Sequence, residues 1–285
     1  MSGVRLLCIG SGLVGTQFAT AARAAGHTVT GTTTTPDKVE GLGAVFDDVR
    51  LLRGADAGAV ADAAAGCEAV VVTAGPSAAR AMTREDRAAT YREVLVDTAR
   101  SVVGVGGDPH LVMLSALSVY GNAADHLAWI DEDAPTTDAD DPSPAMFLAA
   151  ERTYREAAGE RTTILRCADI YGADDPPVEA KVRMAHEVLG GSVPFGGEAL
   201  FYRVAVEDVA AAILFALERR LVGTFNLTHA EVPASNRELF DRVGAAQGFG
   251  PLEFRDEIAG PCAPVSTDRL RAAGFVPSAT TAFTA

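Results

Sequence analysis

The 285-residue sequence predicts an α/β protein built on a doubly wound parallel sheet, with a small C-terminal lobe. Two observations carry this. Short apolar runs alternate with helical patterns over the first 172 residues, and such repetition implies parallel strands joined by right-handed crossovers. Runs such as AVVV (69–72) are apolar at every position, which fits strands covered on both faces.

The strand-like segments, in order, are VRLLCIG (4–10), TVTGTT (28–33), AVVVTAG (69–75), HLVMLS (110–115) and TTILRCADIY (162–171). Helical patterns lie between them at 13–25, 56–65, 84–103 and 144–158. The last of these opens on SPAMFLAAE (143–151), where Ser143 can cap and Pro144 suits the first turn. Phe147, Ala150 and Tyr154 then form an apolar stripe to pack on the sheet. After residue 172 come a loop (ADDPPVEA), helices at 181–191, 206–220 and 235–248, and a short strand, TFNLT (224–228). No repeat and no long linker separates the parts. The expected division is 1–172 for the sheet domain and 173–285 for a lobe interleaved with the end of that sheet.

Composition narrows the function classes. A net charge of −14, with no local basic block, argues against nucleic acid or an anionic membrane surface as partner. Four scattered cysteines (Cys8, Cys67, Cys167, Cys262) form no CxxC pair and lie near no histidine cluster, so neither a metal site nor a disulfide is expected. No apolar run reaches the length of a membrane span. The chain enters an apolar strand at once, leaving no room for a secretory segment, so a cytoplasmic protein is expected.

Gly10, Gly12 and Gly15 form GxGxxG between the first strand and the first helix. The first glycine allows the tight turn, the second lets backbone approach a pyrophosphate, and the third brings helix against strand. The helix N-terminus then offers free N–H groups to the phosphates. Ser11, Leu13 and Val14 complete this loop. The whole reads as a Rossmann-like dinucleotide site. An NAD site wants a carboxylate about 20 residues on. Thr33 stands there instead, within GTTTTPDK (31–38), and Thr34, Thr35 and Lys38 can serve a 2′-phosphate. The arginine usual for NADP is missing from this stretch. NADP is favoured and NAD stays open.

Further motifs carry a family resemblance. TAG (73–75) ends the strand on the adenine side, bringing Ala74 and Gly75 to the cofactor. SALSVYGN (115–122), LRCADIYGADD (165–175) and YRVAVEDVAAAILFALE (202–218) resemble the serine-rich strand end, the R-x-x-x-[IV]-Y-G turn and the R-[IV]-H-V-D-D-[LIV]-A helix start of extended short-chain dehydrogenases. The chain resembles an atypical member of the NAD(P)-dependent epimerase/dehydratase family over nearly its whole length. The resemblance implies a Tyr-x-x-x-Lys pair on the helix near 143, with a Ser/Thr on the preceding strand end. Here those positions fall on Ser143, Phe147 and Ala116. The only lysines are Lys38 and Lys181, and neither has a tyrosine four residues before it.

Substitutes for the missing pair come from the strand ends. Tyr120, Ser115 and Ser118 follow the fourth run, and Asp169 and Tyr171 follow the next. Tyr202 and Arg203 precede the helix at 206, and Arg203 suits an anionic substrate group. Structural roles compete for each: Tyr120 can simply pack, Asp169 can hold its own turn, and His186 reads as surface. Glu151 reads as one half of a solvated i,i+4 pair with Arg155. The expected function is an NAD(P)-dependent oxidoreductase or epimerase-type enzyme acting on a small polar metabolite. The rivals are a catalytically lapsed NAD(P)-binding sensor or scaffold, and a non-redox lyase or isomerase reusing the pocket. Helices 84–103 and 144–158 leave a homodimer open.

Overall fold

The computed structural model describes residues 3–76, 83–138 and 141–278. Seven parallel strands form the central sheet: β1 (Arg5–Ile9), β2 (Thr28–Thr33), β3 (Asp48–Leu51), β4 (Ala69–Val72), β5 (His110–Ala116), β6 (Thr162–Cys167) and a late-returning β10 (Gly223–Leu227). Their order is β10-β6-β5-β4-β1-β2-β3. The chain winds outward from β1 in one direction and from β4 in the other, so the order reverses between these two strands. A crevice for ligands opens at such a reversal, beyond the carboxyl ends of the strands.

Helices cover both faces. On one side α1 (Leu13–Ala24) and α8 (Val206–Arg219) bury Phe18, Ala19, Ala22, Val209 and Ile213 against Leu6, Cys8 and Val71. On the other, α3 (Ala57–Ala64), α5 (Thr98–Val103) and α6 (Pro142–Ala158) pack Val60, Ala64, Ala99, Val102, Ala150 and Tyr154 against Leu7, Val70 and Leu111. Burial on both faces is why these strands are apolar at successive positions. Two short or interrupted helices complete the layers. The segment Val39–Leu42 is α2, on the α1 and α8 side through Leu42, and α4 (Arg84–Tyr91), on the other side through Tyr91, runs through a π-helical turn at Arg92–Asp97 into α5.

The helix expected at 144–158, with Ser143 as its cap, begins two residues earlier. Asp141, not Ser143, is its cap, accepting a hydrogen bond from the Ser143 N–H at 3.1 Å, and Pro142 occupies the first turn. The apolar stripe expected on it is present: Ala150 and Tyr154 are buried, and Phe147 is half-buried against the same core.

After β6 the chain builds a smaller layer. It comprises β7 (Asp169–Tyr171), α7 (Val178–Glu187), β8 (Ser192–Phe195), β9 (Arg203–Ala205), α9 (Asn236–Ala246) and β11 (Glu253–Ile258), while α10 (Asp268–Ala272) packs Leu270 on the main core. Here β7 pairs with β9 and β8 with β11. Val178, Val182, Val193, Leu239, Phe240 and Val243 make a separate core. Between these segments α8 and β10 rejoin the main sheet. No described helix is long and apolar enough to cross a membrane, and all four cysteines are free thiols.

Candidate functional site

The loop after β1 is shaped by what its glycines exclude. Gly10 has φ +106°, and a Cβ there would lie 2.5 Å from the Ala74 nitrogen at the end of β4. A Cβ on Gly15 would run into the Gly10 carbonyl. Gly12 differs: an added Cβ would meet no protein atom within 4 Å. The space above Gly12 is open. Gly12 also caps α1 with no side-chain bond and no acidic residue in the first turn, so the first N–H groups of the helix face outward unsatisfied. Neighbouring threonines hold the loop in place. The Gly10 N–H donates to Thr32 Oγ1 (3.1 Å), Thr73 Oγ1 donates to the Gly10 carbonyl (2.6 Å), and Ser11 Oγ donates to the Thr32 carbonyl (2.9 Å).

This loop floors a cavity of about 570 Å³. Gly10, Ser11 and Gly12 line one wall, Thr33–Thr35 with Lys38 a second, and Ala74 and Gly75 a third. The remaining loop residues lie to the side. Val14 packs on the core, Gly15 seats the helix, and Leu13 is exposed, its Cδ1 lying 3.0 Å from where a Gly172 Cβ would sit. The cavity also holds residues the sequence reading did not include. In the sheet Thr33 is the partner of Leu51, and the Leu52 N–H donates to the Thr33 carbonyl (3.0 Å), which brings Arg53 to the rim. An arginine is therefore present beside the threonine run, supplied by the segment after β3 rather than by β2. Opposite it Glu93, from the π-helical turn, pairs with it at 2.9 Å.

The strand end after β5 holds a different arrangement. Ser115, Arg166 and Asn226 are register partners across β5, β6 and β10. Arg166 reaches Glu151 on α6 with two bonds, Nε to Oε1 (3.0 Å) and Nη2 to Oε2 (2.8 Å). Ser115 Oγ donates to the same carboxylate at 2.6 Å, and Arg155 Nη1 at 3.0 Å. Arg166 Nη1 also donates to the Tyr120 hydroxyl (3.0 Å), which donates to Asn226 Oδ1 (2.7 Å). Burial opposes ionisation of Glu151, but the Arg166 bonds and charge, with Ser115, outweigh it and hold the carboxyl below its ordinary range. Burial pushes the Tyr120 phenol up in spite of Arg166.

Several expectations change here. Glu151 is not on a solvated face: it is 0% exposed and anchors the network. Ser115 spends its hydroxyl on Glu151. Tyr120 is 0% exposed, with its oxygen already in two bonds within the protein. Tyr202 is buried too, its hydroxyl accepting from the Val265 N–H at 2.8 Å. Arg203 is 2% exposed and bonded to Asp175 (2.5 Å), with Asp169 at 3.4 Å, and its guanidinium lies 4.7 Å over the Tyr171 ring. Its charge is answered within the protein, so it acts as a strut between β7, β9 and the following loop.

Of the residues expected to do chemistry, two keep accessible polar atoms. Ser118 is half-buried in the short turn Leu117–Tyr120, and Asp169 is exposed at the start of β7. Tyr171 is half-buried beside His229, ring centroids 6.0 Å apart. His229 follows β10, and neither of its buried ring nitrogens has a hydrogen-bond partner. Burial lowers its pKa. Nothing in the local sequence marked it. His186 stacks on Phe249 at 4.5 Å in the smaller lobe. At the family's usual pair, Ser143 lies in the first turn of α6, and Phe147 packs edge-on against Tyr91, centroids 6.5 Å apart.

Comparison with known proteins agrees with this architecture. No curated protein matches the sequence significantly. Among solved structures, a short-chain dehydrogenase/reductase superfamily protein from Agrobacterium tumefaciens with bound NAD is similar at TM-score 0.74 and 22% identity, over 97% of this chain and 93% of that one. UDP-glucose 4-epimerase from Thermotoga maritima, with UDP-glucose, gives 0.74 and 18% over 98% and 95%. The dTDP-4-dehydrorhamnose reductase of Bacillus anthracis, in complex with NADP, gives 0.71 and 16% over 98% and 95%. At these identities the likeness shows the fold alone. The family assignment rests on the sequence model of the NAD dependent epimerase/dehydratase family, which matches residues 9–227. With the glycine loop, the doubly wound sheet and this match in hand, the chain belongs to the NAD dependent epimerase/dehydratase family.

Proposed function

We propose that the protein binds a nicotinamide dinucleotide, NADP in preference to NAD, and acts as an oxidoreductase or epimerase-type enzyme on a small polar substrate. The observation that carries this is the open space over Gly12, set above the unsatisfied N–H groups of α1. Three of the structural neighbours are described with NAD, UDP-glucose or NADP, which supports a ligand of this kind. Gly10–Gly12 and the start of α1 would hold the pyrophosphate. Thr33–Thr35, Lys38 and Arg53 would face a 2′-phosphate, with no carboxylate at position 33 to repel it. Bound, the nicotinamide supplies or accepts hydride. On the substrate side, Ser118 can donate a hydrogen bond and His229 keeps ring nitrogens with no hydrogen-bond partner, while Asp169 faces Arg203 at 3.4 Å.

Gly12→Val tests the cofactor site. The added side chain meets no protein atom and the backbone there (φ −86°) suits valine, so the fold should survive. By calorimetry the wild type should bind NADPH more tightly than NADH, and the variant should lose roughly 10²-fold or more, because the side chain fills the pyrophosphate space. Failure of the wild type to bind any of NADPH, NADP⁺, NADH and NAD⁺ at millimolar concentration would end the proposal.

A second reading, a dinucleotide-binding sensor or scaffold without catalysis, is favoured by one specific observation. The positions of the usual catalytic residues hold Ala116, Ser143 and Phe147, and nearby Tyr120 and Ser115 are locked into the Glu151–Arg166 network. Cofactor turnover with any substrate separates the two readings. Substrate conversion without net redox would indicate the lyase or isomerase alternative.

A further inference from the structure

The cavity rim beside Thr33 contains an exposed ion pair. Arg53 Nη1 and Glu93 Oε1 are 2.9 Å apart, with side chains 63% and 47% exposed. Both line the cavity, Arg53 just beyond β3 and Glu93 on the π-helical turn Arg92–Asp97 across from it. Among the described lining residues Arg53 and Lys38 are the only cations and Glu93 is the only carboxylate. A pair this exposed contributes little to stability and exchanges readily. Its place suggests another use. Arg53 stands two residues past the sheet partner of Thr33, the position from which a carboxylate would contact the ribose 2′-oxygen.

We propose that Glu93 sets the cofactor preference of this site by competing with a 2′-phosphate for Arg53. This rests on the dinucleotide reading given above. With NAD(H), Arg53 stays on Glu93 and the pair flanks the adenosine unchanged. With NADP(H), the dianionic 2′-phosphate draws Arg53 away, because a guanidinium pairs more strongly with phosphate in two-bond geometry than with a single half-exposed carboxylate oxygen. The selectivity for NADP is thereby reduced by the carboxylate, while Lys38 supplies a constant attraction. The cost of freeing Arg53 falls on the phosphorylated cofactor alone.

A double-mutant cycle read by calorimetry tests this, with NADPH, NADH and adenosine 2′,5′-bisphosphate as ligands. Glu93→Gln should tighten NADPH and the bisphosphate by about five- to tenfold and change NADH by less than about threefold. Arg53→Met should weaken NADPH and the bisphosphate by roughly tenfold or more, again with little effect on NADH. In the Arg53→Met background the Glu93→Gln gain should vanish, and raised salt should shrink every difference. Both side chains are exposed, so the variants should keep the wild-type circular dichroism and unfolding midpoint. A gain from Glu93→Gln that is equal for NADH and NADPH, or that persists without Arg53, would overturn the competition while leaving the cofactor site intact. Absence of binding by the wild type to all three ligands would instead remove the cofactor reading, and this proposal with it.

Discussion

The two halves of the carboxyl edge of the sheet use polar side chains in opposite ways. Around the loop after β1, Thr34, Lys38 and Arg53 line a cavity, and the first N–H groups of α1 point at open space. Past β5, Ser115, Tyr120, Glu151, Arg166 and Asn226 bond one another and are buried. One half is open as a cavity and the other closed by the protein itself. The lesson concerns inference from motifs. SALSVYG and LRCADIYG keep their serine, tyrosine and arginine, yet what those residues do here is join three strands to a helix. A family's polar residues can persist for the architecture after the reactive positions beside them have changed.

The sharpest way to break this contrast is Glu151→Gln. Losing the carboxylate leaves Arg166, 3% exposed, without its counter-charge, and breaking one side of a buried pair typically costs about 3–5 kcal/mol. Chemical denaturation should show a loss of that order. The folded fraction should still bind dinucleotide within about threefold of wild type, since the network does not reach the glycine loop. A stability change below about 1 kcal/mol would mean that the network is dispensable and that the closed half is a misreading.

His110, on the same strand as Ser115, sharpens the point from the other side, because it is buried without a counter-ion. Its Nε2 lies 2.9 Å from Thr163 Oγ1. That hydroxyl donates to the Leu221 carbonyl, so it accepts from His110, which fixes the neutral Nε2–H tautomer. Burial, with the charges of Arg220 and Arg161, pushes the imidazole down to about 4. The unfolded chain takes up this proton near the ordinary value of 6.5, and the folded chain does not until about 4. The contribution of His110 is therefore complete above pH 6.5 and declines as pH falls toward 4, by on the order of 2–3 kcal/mol in all. His229 is shifted in the same direction, so the informative quantity is a difference. The pH slope of wild-type stability over this window should flatten in His110→Gln. An unchanged slope would show that His110 titrates normally in the folded state.

How much of this was legible in the sequence depends on where each signal resides. β1, β4 and β5 were readable because burial on two faces writes a nearly unbroken apolar run, and β2 (TVTGTT), β6 (TTILRC) and β10 (GTFNL) because β-branched and aromatic residues favour strands. The edge strand β3 (DVRL) is mostly exposed and carries no such pattern, and with it went Arg53 and the adenosine rim. In the smaller lobe, β8 and β11 are short and pair only with each other. The helix expected at 181–191 runs instead from Val178 to Glu187, because Pro177 caps it and Gly190 and Gly191 adopt positive φ beyond its end. The glycine loop was legible because its chemistry is local. The Glu151–Arg166 network was not. It depends on Ser115, Arg166 and Asn226 sharing a register across three strands, and no window of sequence contains that alignment.

Tyr120→Phe probes the closed half more gently. Removing the hydroxyl takes a donor from Asn226 Oδ1 and an acceptor from Arg166, at a cost of about 1–3 kcal/mol, and should leave dinucleotide affinity unchanged. Equal stability, with turnover lost by roughly 10²-fold, would restore Tyr120 as a general acid.

The smallest effect is expected at Phe147, where the family resemblance implies a lysine. Its ring meets Tyr91 edge-on and packs beside the buried Ala150 and Tyr154. Phe147→Leu keeps an apolar side chain of nearly the same reach, and such a swap usually costs below about 1.5 kcal/mol. If the residue only fills space between α4 and α6, stability should fall by about that amount and NADPH affinity should move less than about threefold. Ser143→Ala, at the former tyrosine position, should change still less, because the cap of α6 is made by Asp141 and not by Ser143. Both variants together separate packing from chemistry on the helix where the family resemblance implies a reactive pair. A turnover loss of roughly 10²-fold at Ser143, with stability untouched, would mean the old position still transfers a proton through a smaller hydroxyl.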